Sequence, residues 1–245
     1  KTAYALKARY TMRLLNKSAN KTTDLQNILT YVSKSFANAS EECKLAVYDA
    51  DSQLNPLWSF SYSRNSFAAS ESLIDKFVER NDPRAPQAFI EPDPTGYIVY
   101  GYGGDQATDI ESINFAPNGT PDEVQNIYGM SMALWAITTP TQLISYHEIK
   151  FLEAEALCRL GRKSEAEAAL KEAVIAGFAN TENMLIDATE NWVGGEVNLG
   201  ADVAEDYFEK SVKPLFTVNP LKETMIQKYL SFFGASGEST EAYCD

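Results

Sequence analysis

Apolar residues recur at helical intervals near both ends and in the middle of the chain, and this spacing predicts helical hairpins separated by a long irregular insert. In residues 1–17, Ala3, Leu6, Tyr10 and Leu14 follow one another at three- and four-residue steps among Ala, Leu, Lys and Arg, as in an amphipathic helix. Residues 24–37 repeat the pattern with Leu25, Ile28, Leu29, Val32 and Phe36. That stretch is entered through Thr23 with Gln26 three positions on, a capping-box spacing. A short polar turn at 18–22 makes 1–37 an αα-hairpin. The clearest pattern begins at Ser145, which forms a capping box with Glu148 and is followed by Ile149, Leu152, Ala156 and Leu160 on one face. Gly161 supplies the left-handed position after that helix. Ser164 with Glu167 opens the next, where Ala166, Ala169, Leu170, Ala173 and Val174 form a stripe and Gly177 is expected to close it.

Alanines 154, 156, 166, 169 and 173 would let the two axes approach closely. Two helices of similar length, a Gly-containing turn and Ala at the contacts make 145–177 a tetratricopeptide-type unit. The hairpin at 1–37 reads as a weaker second copy. The copies are not adjacent in sequence, so the chain is not a plain solenoid. Between them, residues 49–67 read as an irregular, aromatic, Ser-rich stretch, and a helix is expected near 70–80 with Leu73, Ile74, Phe77 and Val78 on one face. Asn81-Asp82-Pro83-Arg84 would end it, because the residue before a proline is pushed out of the α region. Residues 81–142 form a Pro- and Gly-bearing loop-rich insert in which only 97–100 reads as a short strand, and so long an insert in a folded protein points to function. Residues 180–205 are again loop-like. Asn219-Pro220 opens a terminal helix as N-cap and first residue, carries Ile226, Leu230 and Phe233 at helical spacing, and is closed by Gly234. The expected fold class is mostly α, with tetratricopeptide-like hairpins, long loops and little β, in one domain-sized fragment spanning 1–245.

Composition narrows the function. The chain has 245 residues, 44% hydrophobic and 11% aromatic, enough to build a core and too apolar for intrinsic disorder. With 34 acidic and 21 basic side chains, the net charge of −13 repels phosphate backbones and anionic headgroups, which argues against nucleic-acid partners and direct membrane binding. No apolar run reaches the ~18 residues of a membrane-spanning helix. Cys43, Cys158 and Cys244 show no metal or dithiol spacing. Lys1 opens without an initiator Met inside a helical pattern, and 241–245 stop with no Gly or Pro; both ends are expected to lie within structure.

At this point the residues point to a family. Ile144-Ser145-Tyr146-His147-Glu148-Ile149-Lys150-Phe151-Leu152-Glu153-Ala154-Glu155-Ala156 resembles the signature helix of SusD/RagB-type nutrient-binding outer-membrane lipoproteins. Ile226-Gln227-Lys228-Tyr229-Leu230-Ser231-Phe232-Phe233-Gly234 is similar to their Gln-Lys-aromatic segment, and 238–245 to the acidic-aromatic stretch after it. Asn55-Pro56 with its aromatic run, and 73–84 ending in Asn-Asp-Pro-Arg, resemble one branch of the family. The chain departs from the pattern at His147, where Ala is usual, and lacks the N-terminal lipid-bearing Cys. The resemblance implies a middle-to-late piece of a cell-surface, lipid-anchored protein. Such a protein would capture oligosaccharides, or peptides, and deliver them to a TonB-dependent, SusC-like outer-membrane transporter. It carries over no ligand residue, because the shared motifs are helical scaffold.

Candidate site residues therefore come from chemistry. Sugars stack apolar C–H faces on exposed aromatic rings and hydrogen-bond through their hydroxyls. Trp58, Tyr62, Tyr100, Tyr102, Trp135 and Trp192 are the candidate ligand-binding rings, with Arg64 and Tyr97 nearby in sequence. Gly101-Tyr102-Gly103-Gly104-Asp105-Gln106 fails the dinucleotide fingerprint at its sixth position. Asp49-Ala50-Asp51 fails the calcium-loop pattern at Leu54 and Phe60; an irregular calcium site using Asp93, Asp105, Asp109 or Glu111 is the metal alternative left open. His147 is the only histidine, and a structural role is expected for it. No catalytic residue, metal or cofactor is assigned. A tetratricopeptide scaffold binding a partner peptide is the alternative reading. A glycoside hydrolase is a third, for which the sequence nominates no carboxylate pair.

Overall fold

A computed structural model describes residues 1–64, 67–89, 110–119, 128–190 and 196–238. The first hairpin is α1 (Thr2–Arg13) and α2 (Lys21–Val32), and the second is α6 (Tyr146–Arg159) and α7 (Lys163–Ala188). The α2 helix packs directly on α6, so the two hairpins are neighbours in space despite the long stretch of chain between Val32 and Tyr146. Ala5, Ala8, Met12, Leu25, Ile28 and Val32 meet Ile149, Leu152 and Ala156 of α6 in one apolar cluster. The opposite side of α6 (Phe151, Ala154, Leu157) joins a larger cluster with α7 and the elements beyond it. This central helix is buried on both flanks, and each large apolar side chain it buries contributes about 2 kcal/mol.

The insert leaves and returns side by side. Strand β1 (Cys43–Leu45) follows the first hairpin, β2 (Thr141–Ile144) leads into the second, and they pair antiparallel with Cys43 opposite Ile144. Neither strand is marked by the sequence pattern; the strand expected at 97–100 lies outside the described residues. Within the insert, α3 (Pro56–Arg64), α4 (Glu71–Val78) and α5 (Arg84–Phe89) are helical, and a 3-10 turn spans Met132–Trp135. Beyond α7 come α8 (Ala201–Tyr207), a π-turn at Phe208–Val212, α9 (Lys213–Val218) and α10 (Pro220–Leu230).

Several expected boundaries move, each for an identifiable reason. The α2 helix is capped by Asn20, whose Oδ1 accepts from the Thr23 N–H at 3.1 Å, one turn earlier than the Thr23 box. Ser145 does cap α6, accepting from Glu148 N at 3.1 Å, but the Glu148 carboxylate turns away to Arg9. The α7 helix starts at Lys163, so Ser164 is no cap. Gly161 takes the left-handed conformation, φ +75°. Gly177 does not end α7. A Cβ there would stand 2.6 Å from the Ser231 hydroxyl, so this glycine lets the segment after α10 lie against α7, and the helix continues to Ala188 through part of what read as loop. The irregular stretch at 49–67 contains α3. Among the described residues no helix is long and apolar enough to cross a membrane.

Candidate functional site

The α3 helix carries two exposed aromatic rings beside exposed or half-buried serines. Asn55 builds it: its Oδ1 accepts from Leu57 N at 2.8 Å and Trp58 N at 3.3 Å, capping the helix, while Pro56 takes the first helical position, where its missing N–H costs nothing. The same side chain donates through Nδ2 to the carbonyls of Thr139 (2.7 Å) and Ala235 (3.1 Å). Thr139 is held in turn by Asp187 near the end of α7, which accepts from both backbone N–H groups and both hydroxyls of Thr138 and Thr139 at 2.7–3.0 Å. A continuous hydrogen-bonded relay thus runs from the second hairpin to the start of α3.

From that anchor α3 buries Trp58 and Ser61 and turns two rings outward, Phe60 at 46% and Tyr62 at 58% exposure. Tyr62 stacks on Trp58 with centroids 5.1 Å apart and planes 6° from parallel. Phe60 leans on Phe67 at 5.0 Å. At 3.6 residues per turn the two outward rings stand about 160° apart around the axis, with Ser59 and Ser63 between them. Across a helix ~10 Å wide, that gives two apolar faces separated by hydroxyls. Ser63 donates weakly to its own helix, to the Phe60 carbonyl at 3.4 Å. Beyond the Phe60 flank opens an apolar cleft of about 240 Å3 that Leu57 and Phe67 help to line.

A second concavity lies between the hairpins, where a tetratricopeptide scaffold would hold a peptide. This groove of about 280 Å3 is lined by Leu29, Leu157, Ala168 and charged side chains that satisfy one another. Lys150 pairs with Glu153 and with Glu172 (2.6 Å), and Arg162 Nε donates to Glu165 at 2.7 Å.

The buried titratable groups hold elements together. Arg80 makes a two-pronged contact to Glu223, both at 2.9 Å, and Arg84 another to Asp82 at 3.0 and 2.7 Å while lying over the Phe178 ring. Burial opposes the charge on Arg84, and Asp82 more than restores it, so the guanidinium is held above its usual pKa. Burial likewise pushes the Glu148 carboxyl up, against the pull of Arg9. His147 faces Glu238 at 2.9 Å in a fully buried pair, and although burial works against its proton, Glu238 with Glu42 and Glu148 holds the imidazole pKa above the usual value. The expected structural role of His147 fits this placement. Among the described residues no cluster of His, Cys, Asp or Glu is arranged to hold a metal.

A family model described as "Starch-binding associating with outer membrane", SusD-like, matches residues 1–241. The chain belongs to the SusD-like family. A SusD/RagB family protein from Bacteroides thetaiotaomicron superposes with a TM-score of 0.88 at 47% identity, over 100% of this chain and 51% of that one. A SusD homolog from Bacteroides fragilis (TM-score 0.71, 17% identity, 100% and 54% covered) and a chitin-binding protein (0.64, 18%, 99% and 50%) share the fold. This SusD-like chain thus spans about half the length of those solved relatives. No curated protein matches it.

Of the rings singled out in the sequence, Trp58 and Tyr62 come together as the stack on α3, with Trp58 the buried partner and Tyr62 the outer face. Trp135 sits in the 3-10 turn at 6% exposure within the main apolar cluster; it is a packing residue and not an outward ring, because Met132–Trp135 folds inward against α7. Tyr97, Tyr100, Tyr102 and Trp192, and the acidic candidates Asp93, Asp105 and Asp109, lie outside the described residues. Phe60, Ser59 and Ser63 were not among the candidates. The signal for them was Asn55-Pro56, the same cap-and-proline pair that marks α10.

Proposed function

We propose that this chain is the glycan-recognising part of a lipid-anchored outer-membrane protein that captures oligosaccharides at the cell surface and passes them to a TonB-dependent, SusC-like transporter. Binding is by stacking and hydrogen bonding, without catalysis. The observation that carries the reading is the outer face of α3, where Phe60 and Tyr62 flank Ser59 and Ser63. A ring left about half exposed forfeits part of the roughly 1.5–3 kcal/mol that full burial would give, and its apolar face is available to stack on a sugar. The SusD-like family and the fold shared with a chitin-binding protein support a glycan ligand. The groove between the hairpins is a poorer candidate for a peptide, since its charges are already paired and a peptide would have to displace them.

Calorimetric titration of the intact protein with starch-, xylan- and chitin-derived oligosaccharides tests the reading. One class is expected to bind, and Tyr62→Ala and Phe60→Ala should each weaken it about tenfold, the loss of one stacking contact. Unchanged affinity in both variants would remove α3 from the site.

A further inference from the structure

We propose that the apolar cleft beside Phe60 receives an aromatic acyl group, ester-linked to the sugar chain that lies on α3. The proposal rests on the glycan reading above and adds a substituent that reading does not specify. The cleft measures about 240 Å3 and is walled by Leu57, Phe67, Leu73 and Leu134, with Phe89 and Phe233 deeper in. A bare sugar ring gains little there, because its hydroxyls would leave water for a lining with few partners. An aromatic ring fits: an apolar cavity of about 150 Å3 suffices to take up benzene, so this one has room for a ring and its linker.

The polar groups of the cleft argue for an acyl linkage. Among its described lining residues only Ser70 and Ser131 carry polar side chains. Each hydroxyl oxygen accepts a backbone N–H, from Leu73 at 3.3 Å and from Ala133 at 3.2 Å. Ser70 Oγ also stands 3.4 Å from Ser72 Oγ. Ser131 is 6% exposed, and its hydroxyl proton is left to donate. The carbonyl of an aromatic acyl ester, which joins the acyl group to the sugar oxygen, is an acceptor of the right kind. The cleft adjoins α3 through two of its lining residues. Phe67 lines it while touching Phe60, and Leu57 lines it one helical turn before Phe60. A sugar stacked on Phe60 therefore holds its neighbouring substituent at the cleft mouth. A peptide presenting a Phe side chain would satisfy the walls but would leave the hydroxyls on the α3 face without a role.

The test uses feruloylated and saponified forms of the same arabinoxylan oligosaccharide, and methyl ferulate alone, titrated into the intact protein and its variants. The esterified sugar is expected to bind about tenfold to a hundredfold more tightly than the saponified one, the gain from burying a ring. Methyl ferulate should bind saturably by itself. Ala68→Leu, which adds bulk to a half-buried lining residue, should cancel the difference and leave affinity for the saponified sugar unchanged, while Tyr62→Ala weakens both sugars equally. Should Ala68→Leu fail to fold, displacement of the esterified sugar by methyl ferulate, without displacement of the saponified one, carries the test. Equal affinity for both sugars, with Tyr62→Ala still weakening both, overturns the cleft assignment and leaves the α3 reading intact. No binding of methyl ferulate, or preferential binding of a Phe-bearing peptide over the esterified sugar, overturns it as well.

Discussion

The α3 and α10 helices both open on an Asn-Pro pair, and both have the asparagine side chain accepting from backbone N–H groups in the first turn. Their buried faces are opposites. The α10 helix turns Glu223, Thr224, Gln227 and Lys228 inward, where Glu223 meets Arg80, and Gln227 donates to the Tyr207 hydroxyl and to Glu223 at 2.9 Å each. The α3 helix buries Trp58 and leaves Phe60 and Tyr62 in water. The polar interior of α10 is explained by the partners it finds, since buried charges persist when paired. The rings of α3 stay largely exposed even though Tyr62 stacks on Trp58 and Phe60 leans on Phe67. One helix spends its chemistry on holding the molecule together, and the other presents it.

Substitutions can break that contrast. The largest effect is expected on the structural side: Arg84→Ala leaves Asp82 buried without its cation and should cost about 3–5 kcal/mol, read by urea unfolding. The two caps should then separate. Asn219→Ala loses a cap worth about 1 kcal/mol. Asn55→Ala loses the cap and also strands the Thr139 and Ala235 carbonyls, for about 2–4 kcal/mol in all, and should weaken glycan binding because α3 loses its anchor; equal losses at the two sites would deny the relay from Asp187. Gly177→Ala should cost about 1–3 kcal/mol by crowding Ser231, and Ser231→Ala added to it should recover part. Tyr62→Ala should cost about 0.5–1.5 kcal/mol through the lost stack on Trp58, well below Arg84→Ala, while weakening glycan binding about tenfold.

The mildest effect is a pH slope. His147 has a folded pKa above its unfolded value near 6.5, so the His147–Glu238 pair contributes its full stability below about pH 6.5 and loses it as pH rises through the raised folded pKa. Unfolding free energies from pH 6 to 9 should fall more steeply for the natural protein than for His147→Gln; parallel curves would show that the pair contributes nothing.

How far the fold could be read in advance depends on where its information is stored. The hairpins were legible because Ala, Leu and Ile recur at helical spacing and Gly161 marks the turn between α6 and α7. That the hairpins stack was not, since α2 and α6 meet across the whole insert and no local pattern encodes a distant contact. Gly177 read as a stop because a glycine's permissiveness and its lack of a side chain look alike in sequence; only the nearness of Ser231 separates them. The polar face of α10 was hidden for the same reason, because Glu223, Gln227 and Lys228 look solvent-facing until Arg80, Tyr207 and Glu155 are placed opposite. Of the two exposed rings on α3, Tyr62 was nominated from the sequence and Phe60 was not. The aromatic, Ser-rich run has no helical apolar stripe, and α3 is fixed mainly by what Asn55 holds at Thr139 and Ala235.

The central claim is that the glycan lies on the outer face of α3. It is tested most directly by mapping amide chemical-shift changes as a bound oligosaccharide is titrated into the isotopically labelled protein. The account predicts the largest changes at Ser59, Phe60, Tyr62 and Ser63, saturating together. Changes centred instead on Lys150, Glu153, Arg162 and Glu172, in the groove between the hairpins, would contradict it.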